Sequence, residues 1–192
     1  MNIEFIIPSY NRPEKLMCTI SSIVAQTNPN WKLHIIDDCS PDVDKIKKIE
    51  EFYKDDERIK WTYLDTNYGN WGHHSRQMGM DQSTEEWVVM TGDDNYYVPE
   101  FVDIMLEESK NQHFVYCDMV HNWVNREYIP INCKLELGRI DVGNFMVKSN
   151  LGKKIRLIEK ENWADWYFVR DFMNTFKFAK IKKVNKVLYV HN

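Results

Sequence analysis

Two adjacent aspartates, Asp93 and Asp94, follow the apolar run VVM in the stretch VVMTGDDNYYVPEF at 88–101. Neighbouring carboxylates repel one another and lose hydration when partly buried, so such a pair needs a compensating partner. A divalent cation is one answer. A solvated turn or a helix cap is the other, since Asp serves both. Further acids stand in similarly polar or aromatic settings: Asp38 in IIDDCSPD, Asp141 in GRIDVGNFMV and Asp165 in NWADWYFVRDF. Which chemistry they share depends on whether the chain brings them to one place.

The elements that would do so are legible as an alternation. IEFII at 3–7 is a short continuous apolar run stopped by Pro8, the pattern of a strand buried on both faces. A helix should follow, with Asn11 as its cap, Pro13 in the first turn, and Leu16, Ile20, Ile23 and Val24 on one face. KLHII at 32–36 repeats the strand pattern. Pro41 and Asp42 then open a second helix with Val43, Ile46, Ile49, Phe52 and Tyr53 as its stripe. Strands are expected at 59–64, 86–91, 113–119, 143–147 and 186–190, and helices over 71–82, 99–110 and 164–175. HNWVNREYIPIN after residue 120 reads as a hairpin or irregular excursion. Strands alternating with helices predict an α/β, Rossmann-like, mostly parallel central sheet with helices on both faces. Ligands of such sheets bind beyond the C-terminal strand ends, and here those ends carry PSYN, DDCS, TNYGN and GDDN.

Length and composition set the bounds. A chain of 192 residues, 43% hydrophobic and 28% charged, suits one soluble domain. Residues 1–192 are expected to form that single domain. No apolar stretch approaches the roughly 20 residues that span a bilayer. No signal-peptide pattern opens the sequence, so a cytoplasmic location is expected. Cys18, Cys39, Cys117 and Cys133 form no C-x-x-C pair and are expected to be reduced core or near-core residues. Residues 1–133 carry 12 basic and 23 acidic side chains, whereas 134–192 carry 13 and 6. The densest basic stretch, KFAKIKKVNK at 177–186, reads as a solvated face and leaves peripheral contact with an anionic membrane open. The first strand-to-helix turn, PSYNRPEK, lacks both the G-x-G-x-x-G of dinucleotide folds and a P-loop, and no G-x-S-x-G elbow is present. Any phosphate binding must therefore come from a cation and basic side chains.

The ordered set FIIPSYNR, IIDDCSPD, NYGNWGHHSRQMG and TGDDNYYVPEF, from residue 3 to about 108, resembles the family 2 glycosyltransferases of GT-A fold. The resemblance implies an inverting, nucleotide-sugar-dependent transferase, with a nucleotide-sugar-binding part over 1–119 and an acceptor-side part over 120–192. It assigns Tyr10 and Asp38 to the pyrimidine, with Pro8 and Asn11 shaping that pocket. Asp93 and Asp94 take the place of the family's D-x-D element: Asp94 becomes the direct ligand of Mn²⁺ or Mg²⁺, and Asp93 holds the ribose or the metal shell. Such a cation neutralises charge on a leaving diphosphate. Arg76 would contact the diphosphate or secure Asp93, although Ser75 and Gln77 stand where the family has Ala and Asn. Asp165 would be the general base, its pKa raised between Trp163 and Trp166, which would offer a sugar-stacking platform. Ala164 replaces the family's usual Glu, and Asp171 is the fallback base. His191 would close the metal shell and tilt it toward manganese. Asp141 would bind donor-sugar hydroxyls or act as a cap.

The expected partners are a UDP-sugar donor and a carbohydrate or glycan acceptor, with no nucleic acid. Processive synthases of the family show Q-x-x-R-W and membrane helices, and neither is found in this sequence, so single-sugar transfer is expected. Two other functions compete. One is a nucleotidyltransferase, whose Gly- and Arg-rich phosphate loop PSYNRPEK fits poorly. The other is a catalytically weak nucleotide-sugar-binding module, given the short region after 120.

Overall fold

The computed structural model describes residues 1–122, 127–157 and 163–192. Trp123, in the stretch HNWVNREYIPIN, lies outside the described residues. Strand β1 (Ile3–Ser9) is buried along its whole length and pairs in parallel with β2 (Trp31–Asp37) and β4 (Trp87–Met90); β3 (Ile59–Tyr63) extends the sheet beyond β2. Burial on both faces explains why β1 reads as a continuous apolar run rather than an alternating one. Its odd residues, Phe5 and Ile7, pack with Leu16 and Ile20 of α1 (Pro13–Val24), Ile46 of α2 (Val43–Phe52) and Phe101 of α4 (Phe101–Glu108). Ile6 points the other way, into a second cluster with Met80 of α3 (His73–Gln82) and Phe168 and Phe172 of α6 (Ala164–Thr175). Helices thus cover both faces, as the alternation predicts.

Among the described residues the sheet has nine strands, completed by β5 (Tyr96–Tyr97), β6 (Phe114–His121), β7 (Ile129–Ile131), β8 (Phe145–Lys148) and β9 (Ile181–His191). Six strands share one direction, while β5, β7 and β8 run against it. The excursion after residue 120 pairs β7 back onto β6, a hairpin-like pairing in keeping with the sequence. Strand β8 starts two residues later than expected, because Val142–Asn144 form a 3₁₀ turn capped by Asp141. Strand β9 starts at Ile181, so the basic stretch is largely strand. Lys182 pairs with Glu108, and Lys183 with Asp118, as a solvated face does.

Two expectations are corrected. Asn11 does not cap α1: the N-cap position is Arg12, without a side-chain bond, and Asn11 instead takes a left-handed backbone (φ 52°), which Asn tolerates. Of the cysteines, Cys117 and Cys133 are buried, but Cys18 is exposed on α1. All four are free thiols.

Candidate active site

Because β1, β2 and β4 are parallel and in register, their C-terminal ends lie side by side, with Ser9 opposite Asp37 and Ile6 opposite Met90. Two adjoining cavities open there. One, of about 360 Å³, is lined by Pro8, Tyr10, Asp38, Asn67, Gly69 and Gly72 among others. The second, of about 510 Å³, includes Asp94, Asn95, Asp141, Trp163, Asp165 and His191 in its lining. Arg12, Trp71, Arg76 and Gly92 face both.

The smaller cavity is built by hydrogen bonds between strand ends. Asp37 accepts from the Ser40 amide at 2.9 Å and its hydroxyl at 2.6 Å, and Ser40 Oγ accepts from the Asn11 amide at 2.8 Å. This chain fixes the turn that presents Tyr10, 46% exposed, to the cavity. Asp38 holds the opposite wall: its carboxylate accepts from the Tyr68 amide at 2.9 Å and the Gly69 amide at 2.8 Å. Asn67 Nδ2 reaches the Asp38 carbonyl at 2.7 Å. Asp38 is therefore a loop anchor as well as a cavity residue. Pro8 shapes the pocket by filling the space beside Gly72, where a Cβ would lie 2.5 Å from the Pro8 Cβ.

Arg76 is buried; its two shorter hydrogen bonds go to carbonyls, and Nη1 also lies 3.4 Å from His73 Nδ1. Nε donates to Thr91 O at 2.9 Å, and Nη1 to Trp71 O at 2.6 Å. It ties the end of β4 to the loop before α3 while its positive charge acts on Asp93, Asp94 and Asp141. Burial and this guanidinium lower the His73 pKa to about 4, so that imidazole is neutral. The loop itself is strained: Asn70 and Trp71 both have positive φ, and Trp71 is held outward, 64% exposed.

Asp93 is fully buried, and burial raises its pKa to about 6 against the lowering pull of Arg12. Arg12 Nε donates to Asp93 Oδ2 at 3.2 Å. Its Nη2 sits 2.5 Å from Asp93 Oδ1 as an ion-pair contact outside hydrogen-bond geometry, leaving that buried oxygen without an aligned donor. Nη1 donates to Asp94 Oδ2 at 2.9 Å, and Lys15 Nζ approaches the same oxygen at 3.4 Å. The carboxylate pair thus attracts two cationic side chains.

Across the cavity, Asp141 Oδ1 accepts from the Gly143 amide and from the Tyr189 hydroxyl, each at 2.8 Å. His191 Nε2 lies 3.5 Å from Asp141 Oδ2, and the histidine is the last residue of β9 rather than a loose tail. Among the described residues no group of three His, Cys, Asp or Glu could hold a metal by itself. The donors fit a divalent ion that keeps substrate oxygens in its shell, as Mg²⁺ and Mn²⁺ bound with phosphates do: hard carboxylates, one buried oxygen without an aligned donor, and an imidazole on the facing wall.

Asp165, in the first turn of α6, has a pKa raised to about 7 by burial first and by Asp141 second. Its Oδ1 accepts from the Trp166 amide at 2.7 Å. Trp163, 44% exposed, lines the same cavity. Trp166 does not share that place; it packs against the second hydrophobic cluster, so the expected two-Trp platform reduces to Trp163. Asp171 pairs with Arg170 and is not among the residues lining this cavity. Arg12 and Trp71, which face both cavities, are among the lining residues that sequence reasoning missed.

The glycosyl transferase family 2 model matches residues 4–174, most of the chain and nearly all the elements described above. The chain belongs to glycosyl transferase family 2. An uncharacterized glycosyltransferase of Haemophilus influenzae is 25% identical over 153 residues, covering 78% of this chain and 50% of that protein. A hyaluronan synthase of Streptococcus pyogenes is 31% identical over 126 residues, covering 64% and 30%. The chain spans half or less of the length of these relatives. Among solved structures, S. aureus TarS 1–349 superposes with a TM-score of 0.82 over 100% of this chain and 60% of its own, at 20% identity. The mannosyltransferase PcManGT of Pyrobaculum calidifontis, in complex with GDP-Man and Mn²⁺, gives 0.76 over 99% and 56%, at 15% identity. The family model shows the family, and the solved structures show the GT-A fold. Among the described residues no helix is long and apolar enough to cross a membrane.

Proposed function

We propose that this family 2 chain is a metal-dependent inverting glycosyltransferase that moves one sugar from a UDP-sugar to an acceptor hydroxyl. The observation that carries the reading is one cavity wall. Asp165, with a carboxyl poised near neutrality, shares a 510 Å³ cavity with Asp94, Arg76 and His191, next to a second cavity shaped by Tyr10 and Asp38. A complex of TarS 1–349 with UDP-GlcNAc, with a TM-score of 0.80 to this chain, supports a UDP-sugar donor.

In this reading the uracil stacks on Tyr10 and donates to Asp38 Oδ1, which accepts only from the Tyr68 amide and so retains acceptor capacity. Asp94 and His191 would hold Mn²⁺ or Mg²⁺, which supplies Lewis-acid neutralisation of the diphosphate. Asp93, buried beneath, orients the ribose. Arg76 keeps Trp71 and the strand end fixed and adds positive potential where diphosphate charge develops. An acceptor hydroxyl beside Trp163 gives its proton to Asp165 as its oxygen bonds to the anomeric carbon. The bond from that carbon to the diphosphate oxygen breaks on the opposite face. In-line displacement inverts the anomeric centre and forms no covalent enzyme intermediate. Asp141, braced by Tyr189 and the Gly143 amide, faces the transferred sugar.

The test is UDP release from a panel of UDP-sugars with simple glycoside acceptors, beside UDP binding measured separately. Transfer with inversion, lost in Asp165→Asn while UDP binding persists, is the expected result. UDP binding with no transfer from wild type would favour a binding module. The complete enzyme's acceptor, and a cytoplasmic site of action, belong to the same proposal.

A further inference from the structure

Arg12 occupies an unusual position for a residue without a place in the reading above, on which the following rests. Its guanidinium makes contacts to both members of the aspartate pair: Nε and Nη2 to Asp93, Nη1 to Asp94 Oδ2 at 2.9 Å. The side chain is nevertheless 48% exposed and lines both cavities. It starts from the turn between Asn11, held by Ser40, and Pro13 at the first position of α1, so its backbone is fixed while nearly half of its side chain faces solvent. A guanidinium suits carboxylate and phosphate oxygens equally well, because its fork matches both.

We propose that Arg12 is a resident counter-ion of the Asp93–Asp94 pair: it yields Asp94 to the divalent cation and then binds the diphosphate oxygens of the donor. Without nucleotide, the guanidinium and the metal ion compete for one carboxylate, and the affinity for free metal is low. With nucleotide, the diphosphate gives Arg12 a second anionic partner, so metal and donor bind cooperatively. Loading the site with metal alone is thereby disfavoured.

The experiment measures Mn²⁺ binding without nucleotide, from the electron paramagnetic resonance signal of free Mn²⁺. The proteins are wild type, Arg12→Gln, Arg12→Lys, Lys15→Gln and Asp94→Asn. Lys15 touches the same Asp94 oxygen at 3.4 Å, so Lys15→Gln controls for removal of one nearby positive charge. Arg12→Gln should bind Mn²⁺ roughly tenfold more tightly than wild type, as expected when a charge-assisted fork is removed. Lys15→Gln should gain no more than about a third of that factor. Arg12→Lys, which keeps the charge and loses the fork, should fall between. At saturating Mn²⁺, Arg12→Gln should bind UDP roughly tenfold more weakly with uridine affinity unchanged. A gain from exposed His or Cys in a misfolded variant would not be accompanied by unchanged uridine affinity, so the two readouts together exclude it. Equal gains in Arg12→Gln and Lys15→Gln, or none in either, would overturn the proposal; metal-dependent UDP binding lost in Asp94→Asn would then leave the donor site standing. If no protein binds Mn²⁺ or UDP, the donor site falls and the role of Arg12 with it.

Discussion

Replacing Asp165 with Asn tests chemistry and stability with opposite signs. Asp165 titrates at about 7, against an ordinary 3.8, because burial and the neighbouring Asp141 disfavour its charged form. The folded protein therefore holds this proton more tightly than the unfolded chain. Its stabilising contribution is complete below about pH 4, falls between about 4 and 7, and is lost above. A shift of about 3 units corresponds to at most about 4 kcal/mol. Asp165 is partly solvent-facing, and screening reduces that to about 1–3 kcal/mol. Asn keeps the shape and never ionises. At pH 8, Asp165→Asn should be more stable than wild type by that amount, a rise in Tm of about 2–12 °C for a chain of this length. Near pH 4 the two should melt together. Transfer should fall about 10²- to 10⁴-fold, the usual contribution of a positioned base, with UDP affinity unchanged. The wild-type rate should rise with pH through an apparent pKa of about 7. Scanning calorimetry at pH 4 and 8 and a UDP-release assay read both effects. A variant less stable at pH 8, or one that transfers within a few-fold of wild type, would refute the assignment of a strained carboxylate acting as base.

Two further substitutions probe the frame. Gly72→Ala places a Cβ 2.5 Å from the Pro8 Cβ at a φ of 77°, and should cost about 1–3 kcal/mol in denaturant melts while weakening UDP binding. Arg76→Lys cannot donate to both Thr91 O and Trp71 O in the same geometry and should cost about 2–4 kcal/mol, with a larger loss in donor affinity than in acceptor KM.

The parts of the fold that follow from hydrophobic period were legible in the sequence. The buried runs at 3–7 and 32–36, each ended by polar residues, are strands β1 and β2, and their ends carry the cavities. The short strand β5 and the direction of β8 were not, because both depend on pairing partners far along the chain. The cavity lining was legible where residue type restricts the use, as with Asp94 of the aspartate pair and with Asp165 among tryptophans. It was not where conformation decides. Trp71 reads as an ordinary helix-start aromatic, yet two consecutive left-handed residues turn it outward. Arg12 reads as a surface base, and only the approach of β4 to the β1 turn gives it two carboxylates. Trp166, one residue from Asp165, was assigned to the cavity, but its helix position turns it into the core.

The most direct test of a metal-dependent donor site is calorimetric titration of UDP into wild type and Asp94→Ala, each with Mn²⁺ and with EDTA. Binding that requires Mn²⁺ and disappears in Asp94→Ala is the predicted result. Binding that persists in EDTA and in Asp94→Ala, or no binding under any condition, would contradict it and reduce Gly92–Asn95 to a turn.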